Sequence, residues 1–341
     1  MEKKKIGGNP SEVRLVLKKK KQNEDFKKLK QTCDKIKEEL GKIIVGYEDV
    51  IEDLLICLIA QGHMIMLGVP GIAKTTLAKS FSEITGLNWN RVQFTQDLLP
   101  ADIIGHYFFD QKKNEFKLRK GPIFSQILLA DEINRAPPKT QSALIEAMQE
   151  KQVTIEGTTL SLPEPFLVIA TKNPIETEGV YPLPEAQLDR FLYRVNMDYL
   201  KPDEEISMLR MKNENNFKKI NKIGNSVLER FIGMHHKVYV EETILIYILN
   251  ILAETRSNDR IVLGASPRAG EHLLYAAKAN AMINGRDYVI PDDIKKVIPK
   301  VLGHRIILSA ESEFEGFTTE KILEELIDNV EISEFIPEQK T

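Results

Sequence analysis

Gly68-Val69-Pro70-Gly71-Ile72-Ala73-Lys74-Thr75-Thr76 is the stretch that decides how this chain folds. The apolar run Met64-Ile65-Met66-Leu67 precedes it, and Leu77-Ala78-Lys79-Ser80-Phe81 follows as the start of a helix. A short buried strand, a Gly/Pro loop and a helix start form a phosphate cradle. In such a loop successive backbone N–H groups point inward and meet the positive end of the new helix. Residues Gly68 to Thr76 then hold a nucleotide, with Lys74 reaching the β- and γ-phosphates and the Thr75 hydroxyl ligating Mg²⁺. Ala73 departs from the pattern G-x-x-x-x-G-K-[ST]: its methyl lies close to the phosphates and is awkward at positive φ. A plain Gly/Pro turn between a strand and a basic helix is the alternative, and the rest of the chain must choose.

Moving outward, Gln126-Ile-Leu-Leu-Ala-Asp-Glu132 reads as a second buried strand, continuous rather than alternating because both faces are covered, as in a parallel sheet. Asp131 at its end suits the Mg²⁺ shell, and Glu132 suits orienting and deprotonating an attacking water. Two solvent-exposed acids at a strand end are the alternative. Phe166-Leu-Val-Ile-Ala170 is a third such strand, followed by Thr171-Lys172-Asn173. Asn173 can bond both a water and a γ-phosphate oxygen, or serve as a turn residue before Pro174. A helix is expected over 139–150, and Trp89 to Phe94 alternates like a strand. Hairpins are expected over 107–118, turning at Lys113-Asn114, and over 153–162 around Glu156-Gly157.

The longer runs F-T-Q-D-L-L-P-A-D-I-I-G (94–105), G-P-I-F (121–124), L-L-A-D-E-I-N-R-A-P-P-K-T-Q-S-A-L-I-E-A-M-Q-E (128–150) and A-T-K-N-P-I-E-T-E-G-V-Y-P-L-P-E-A-Q-L-D-R-F (170–191) resemble the MoxR family of AAA+ ATPases. The likeness runs from about Val45 through Leu200 and resumes weakly to Gly303. Alanine is common in that family where Ala73 stands, whereas Tyr47, Leu67 and Lys172 depart from its usual Gln, Glu and Gln. The resemblance implies an α/β P-loop NTPase core of three layers with a parallel sheet, then an all-helical lid. It implies Asp131 and Glu132 as the Walker B acids and Asn173 as the first sensor. Arg190 in L-D-R-F looks like the arginine finger acting on a neighbour's γ-phosphate, and Arg268 in Gly264-Ala-Ser-Pro-Arg-Ala269 like the second sensor. A bidentate guanidinium stabilises charge building on the transferring phosphoryl. The alternatives are a local salt bridge for Arg190, to Glu185 or around Asp189, and local acids for Arg268. Arg135 and Arg194 are rival fingers. A finger acting between subunits implies a homo-oligomer, a hexameric ring in this family. Its usual partners are proteins with von Willebrand factor A domains, matured in a chaperone-like way by ATP hydrolysis.

The bulk numbers agree. At 341 residues, 42% apolar and 28% charged, the chain has room for two globular domains. A net charge of −3 gives no global field for nucleic acid or membrane. Cys33 and Cys57 lack metal or CxxC spacing and read as reduced thiols. No apolar segment follows Lys3-Lys4-Lys5, and Ile244 to Ala253 is about half a membrane span, so a cytoplasmic protein is expected. The expected division is a basic flexible arm (1–22), the ATPase core (23–200), the lid (201–310) and an acidic tail (311–341). The arm is a solvated tail or a contact for nucleic acid or anionic lipid; the tail is a docking helix or a solvated extension. A nucleic-acid motor is the competing function, carried by Lys112, Lys113 and Lys117 of the first hairpin. A non-catalytic scaffold would lack the acid pair, which is present.

Overall fold

A computed structural model describes residues 10–176, 179–214, 220–223 and 225–332. Helix α1 (Pro10–Gly41) comes first. Phe26, Leu29, Cys33, Ile36 and Leu40 recur at helical spacing on it and are all buried. The helix starts at Pro10, so residues 10–22 are helical where the sequence suggests a flexible arm. The run from Ser11 to Leu40 has no glycine or proline and is rich in Lys, Glu and Leu, which favour helix. Lys3-Lys4-Lys5 lie outside the described residues.

The core continues with α2 (Glu48–Ala60), β1 (Met64–Leu67), α3 (Lys74–Thr85), β2 (Trp89–Gln93), α4 (Pro100–Ile104), β3 (Gly105–Asp110), β4 (Glu115–Lys120) and β5 (Ile127–Asp131). Then come α5 (Pro138–Glu150), β6 (Gln152–Ile155), β7 (Thr158–Ser161), β8 (Leu167–Lys172), α6 (Glu185–Leu188) and β9 (Tyr193–Asn196). Five strands form one sheet in the order β2-β5-β8-β1-β9, and every neighbouring pair is parallel. Alternate residues feed two cores. Met64, Met66, Leu129 and Ile169 pack towards α1, α2 and α3, while Ile65, Leu128, Ala130 and Val168 pack towards α5. That makes three layers with the sheet in the middle. The loops after β1, β5 and β8 leave the carboxyl ends of central strands, where open α/β sheets bind ligands.

Both expected hairpins form, β3 with β4 and β6 with β7. Asn114 in the first turn has φ 51°, and Glu156 and Gly157 in the second have φ 46° and 84°, as a two-residue turn matching strand twist requires. Strand β9 was not legible in advance: four residues at a sheet edge carry little periodicity.

The lid comprises α7 (Pro202–Asn213), α8 (Asn225–Phe231), α9 (Glu242–Ser257), β10 (Ile261–Leu263), α10 (Pro267–Ile283), α11 (Pro291–Leu302), β11 (Ile307–Leu308), α12 (Ala310–Phe314) and α13 (Thr319–Asn329). Among the described residues it is helical apart from the antiparallel β10–β11 ribbon and a single Tyr239–Tyr288 bridge, departures from an all-helical lid. Ile322, Leu323 and Leu326 of α13 are buried against the lid, so the stretch from 311 to 329 packs as lid structure rather than as a separate tail. Their i, i+1, i+4 spacing supplies the apolar face. Phe335 lies outside the described residues.

Helix α10 packs on α2 and α1, and α11 on β9. An ionic seam accompanies the apolar contact: Lys300 meets Asp53 at 2.6 Å, while Lys37 (2.5 Å) and Lys296 share Glu52. Burial pushes the Asp53 carboxyl up to about 6 despite Lys300. Cys33 and Cys57 are free and buried, and burial raises both thiols, Cys33 to about 12. Among the described residues no helix is long and apolar enough to cross a membrane, and no cluster of metal-binding side chains forms.

Candidate active site

The loop between β1 and α3 is shaped by close approaches. A Cβ on Gly68 would lie 2.3 Å from Ile72 Cδ1 and 2.8 Å from the Met197 carbonyl, so only glycine fits. Gly71 takes φ 88° and Ala73 φ 67°. Ala73 thus adopts the left-handed conformation that glycine would take without strain, at the N-cap of α3. Its carbonyl accepts the first helical bond, from Leu77 N at 2.8 Å. The next N–H groups, at Lys74, Thr75 and Thr76, have no intrahelical partner. No acid sits in this first turn to compete for the dipole.

These residues line an open cavity of about 290 Å³ together with Asp131, Glu132 and Asn173. Lys74 Nζ donates to the Gly68 carbonyl at 2.5 Å. Burial lowers the Lys74 pKa, and the charges of Asp131, Glu132 and Glu176 oppose that shift. Asp131 ends β5: its Oδ1 accepts from Thr171 Oγ1 at 2.5 Å and its Oδ2 from Arg91 Nε and Nη2 at 3.0 and 2.8 Å. The same Thr171 oxygen accepts from Glu132 N at 2.9 Å, tying the ends of β5 and β8 together. Glu132 turns out of the strand at φ 57°, and its Oε2 accepts from Gln93 Nε2 at 2.7 Å. Arg135 Nε also approaches that oxygen, at 3.1 Å, while binding Glu176 through Nε and Nη2, each at 2.9 Å. Asn173 lines the cavity while its Oδ1 accepts from Ile175 N at 3.2 Å, so it caps the Pro174 turn as well.

The donor set fits Mg²⁺. A hydroxyl from Thr75 and a carboxylate from Asp131 line one cavity, both hard oxygen ligands, and a carboxylate has more lone pairs than Thr171 and Arg91 occupy.

A second cavity, about 410 Å³, shares Pro70, Gly71, Ala73 and Thr76 with the first. Its walls are Ile43, Ile44 and Val45 on one side and Met208 and Met211 of α7 on the other. Tyr47 bonds the Asp198 carbonyl through its hydroxyl at 2.8 Å. An apolar slot continuous with a phosphate cradle suits a purine base. Sequence reasoning missed the α7 wall, because Met208 and Met211 read as ordinary helix positions. It also missed Arg91, Gln93 and Glu176; the alternation of Arg91 and Gln93 on one face of β2 was the available signal.

Neither predicted arginine lines the phosphate cavity. Arg268, in the first turn of α10, pairs with Asp189 Oδ2 at 3.0 Å. Arg190, just past α6, is half-buried and has no carboxylate partner among the described residues; its Nε reaches the Ala186 carbonyl at 3.4 Å. Of the rival fingers, Arg135 is held by Glu132 and Glu176, and Arg194 donates to the Gly303 carbonyl at 2.8 Å. Strand pairing separates Arg190 from its own phosphate loop. Met64 pairs with Tyr193 and Leu67 with Asn196 in parallel, so Arg190 precedes the pair at one end and Gly68 follows at the other. The strands alone hold those ends about 10 Å apart.

The model of the ATPase family associated with various cellular activities (AAA) matches residues 63–193, and that of the AAA lid domain matches residues 253–326. The protein named YeaC of Bacillus subtilis is 42% identical, over 86% of this chain and 93% of that protein. Chaperone MoxR1 of Mycobacterium tuberculosis is 40% identical, over 88% of this chain and 83% of its own length. The crystal structure of a candidate ATPase from Cytophaga hutchinsonii superposes with a TM-score of 0.86 at 41% identity, covering 93% of this chain and all of that one.

Proposed function

The chain belongs to the MoxR family of AAA+ ATPases, and from that premise we propose that it hydrolyses ATP to remodel or mature partner proteins in a chaperone-like way. The observation that carries the ATPase reading is the meeting of Lys74, Thr75, Asp131, Glu132 and Asn173 on one cavity. The purine base lies in the slot between Val45 and α7, and the phosphates follow the N–H groups of the Gly68 to Thr76 loop. Thr75 and Asp131 would hold Mg²⁺, which would supply charge neutralisation on the phosphates. Glu132 takes the proton of the attacking water, and Asn173 orients that water. Lys74 leaves the Gly68 carbonyl for the phosphates as ATP enters.

Arg190 completes the site of a neighbouring subunit. Its place at the far end of the β1–β9 pair and its lack of an acidic partner among the described residues support a role outside its own subunit. Arg268 is the second sensor, released from Asp189 when it acts. The assembly is a hexameric ring in the cytoplasm, and its substrate is a partner with a von Willebrand factor A domain.

One observation favours a nucleic-acid substrate instead. The β3–β4 hairpin exposes Phe108, Phe109 and Phe116 beside Lys112 and Lys113, a pattern that also suits stacked bases. Lys117 is already held by Asp110 at 2.6 Å, which reduces the free charge there. Capture with the Glu132→Gln variant in ATP separates the two: the chaperone reading expects a protein partner to be retained. Recovery of nucleic acid alone, with DNA-stimulated turnover that falls steeply with salt, overturns it.

A further inference from the structure

Arg305 is a buried arginine that the nucleotide site does not use. It follows α11 through the turn Gly303-His304, and its side chain is 1% exposed. A guanidinium taken out of water this far requires partners for its whole fork. Burial lowers its pKa to about 10, which leaves it charged at neutral pH. Its partners converge on one short segment of the core. Nε donates to Asp189 Oδ1 at 2.8 Å, and Nη2 donates to the carbonyls of Asp189 at 2.8 Å and Phe191 at 2.5 Å. Nη1 reaches the Val301 carbonyl and, at 3.4 Å, that of Leu192. His272 of α10 accepts from Nη2 at 2.5 Å through Nδ1, so its ring is neutral with the proton on Nε2.

Other lid groups grip the same segment. His304 Nε2 donates to the Phe191 carbonyl at 3.1 Å. Ser266 Oγ donates to the Asp189 carboxylate at 3.1 Å, and Arg268 pairs with it at 3.0 Å. Arg190 lies inside the short segment bracketed by the gripped carbonyls of Asp189 and Phe191. The Asp189 carbonyl, in the peptide just before Arg190, and the Phe191 carbonyl, one peptide beyond the one that follows it, both bond to a single nitrogen of Arg305, which pins the main chain upstream and downstream of Arg190. Arg190's own side chain stays half exposed and, among the described residues, without an acid.

We propose that Arg305, with Asp189, is a positioning residue that presents Arg190 to the neighbouring subunit's nucleotide, so that the seating of the lid in one subunit governs hydrolysis in the next. This rests on the reading of Arg190 as a finger acting between subunits. Movement of the lid relative to the core would draw Arg305 away from the Asp189–Phe191 carbonyls and release the finger's backbone. Positional errors of about 1 Å at a reacting centre cost about 10²-fold in rate.

The test uses full-length variants in mixed assemblies. Arg305→Lys keeps the charge and loses the fork. Alone it should lose about 10²-fold in kcat, with the Kd for ATP unchanged within about twofold, because its own cavity is untouched. Mixed with Lys74→Ala, which carries an intact finger and an intact Arg305, it should recover activity. Mixed with Arg190→Ala it should not recover, and the double variant Arg190→Ala/Arg305→Lys should be no slower than Arg190→Ala alone. A role confined to holding the lid in place would weaken the variant's own ATP binding or leave it beyond rescue by Lys74→Ala, and either outcome overturns the proposal. Wild-type turnover by a folded Arg305→Lys protein does so as well. If Arg305→Lys fails to fold, Asp189→Asn takes its place: it keeps the carbonyl bonds, loses the ion pairs and should show the same rescue pattern with a loss of about tenfold. Absence of that pattern in a folded Asp189→Asn protein is equally fatal. Arg190→Ala mixed with Lys74→Ala is the control. If that pair stays inactive, the finger reading itself has failed. If it recovers and the Arg305→Lys pair does not, only the positioning role has failed.

Discussion

The Gly68–Thr76 loop and the Asp189–Phe191 turn lie at opposite ends of the β1–β9 pair and are built by opposite means. The loop is made almost entirely from its own residues: a glycine that admits no Cβ, an alanine at φ 67° and the first N–H groups of α3. The turn is held from outside, by Arg305, His304, Ser266 and Arg268, which lie 77 or more residues away along the chain. A self-contained loop keeps its shape wherever the lid goes. A turn gripped by the lid changes when the lid moves. The phosphate cradle is therefore local to the core, and the proposed finger is coupled to the lid.

Substitutions should divide along that line, beginning with the largest effect. Arg190→Ala should cost ~10³–10⁵ in kcat, as removing a finger does elsewhere, with ATP affinity preserved; steady-state turnover and equilibrium ATP binding measure the two. Glu132→Gln should cost ~10²–10⁴ in turnover while retaining ATP and assembly, which single-turnover kinetics and sizing with nucleotide will read. Acid should act on the turn and the lid before the loop. Burial, with the Arg305 charge, lowers the His272 pKa to about 3; burial also lowers His63 to about 4 and puts His304 well below its usual value. For each, the folded form takes a proton less readily than the unfolded chain. The stabilisation is complete above the unfolded value of 6.5 and is lost as pH falls towards the folded values. Asp53 acts in the opposite sense: raised from 3.8 to about 6, it favours the folded state below 3.8 and loses that contribution as pH rises through 6. Three histidines outweigh one carboxylate, so the melting temperature should fall between pH 7 and 5, with His272 and His63 each losing roughly 2 kcal/mol of stability before the Asp53 offset and His304 adding in the same direction. His272→Gln should flatten that slope. The smallest effect belongs to the loop: Ala73→Gly relieves left-handed strain at the cost of chain entropy, for a net gain under about 1 kcal/mol in urea unfolding and little change in ATP binding.

The same division explains what the sequence made legible. Strands β1, β5 and β8, the acids at the end of β5 and both hairpins follow from contiguous residues, and all were readable. Asp131 and Glu132 were readable as a pair, but their partners Arg91, Gln93 and Thr171 were not, because strand order in a parallel sheet brings together segments with no local signature. The helical start at Pro10 was hidden by lysines that resemble a solvated tail. The packing of α13 was hidden by the acids around Ile322, Leu323 and Leu326. Nothing in the residues around His304-Arg305 tells of a carbonyl cluster 116 residues away. Arg268 was legible as a candidate second sensor or a partner of local acids, and the structure joins it to Asp189 rather than to the phosphate cavity.

The most direct measurement of the central claim, that the site of one subunit is completed by Arg190 of another, is a titration of Arg190→Ala protein against Lys74→Ala protein, each inactive alone. The account predicts that ATP turnover returns on mixing and peaks at intermediate ratios, where intact phosphate loops adjoin intact fingers. No recovery at any ratio, or full turnover by Arg190→Ala on its own, would contradict it.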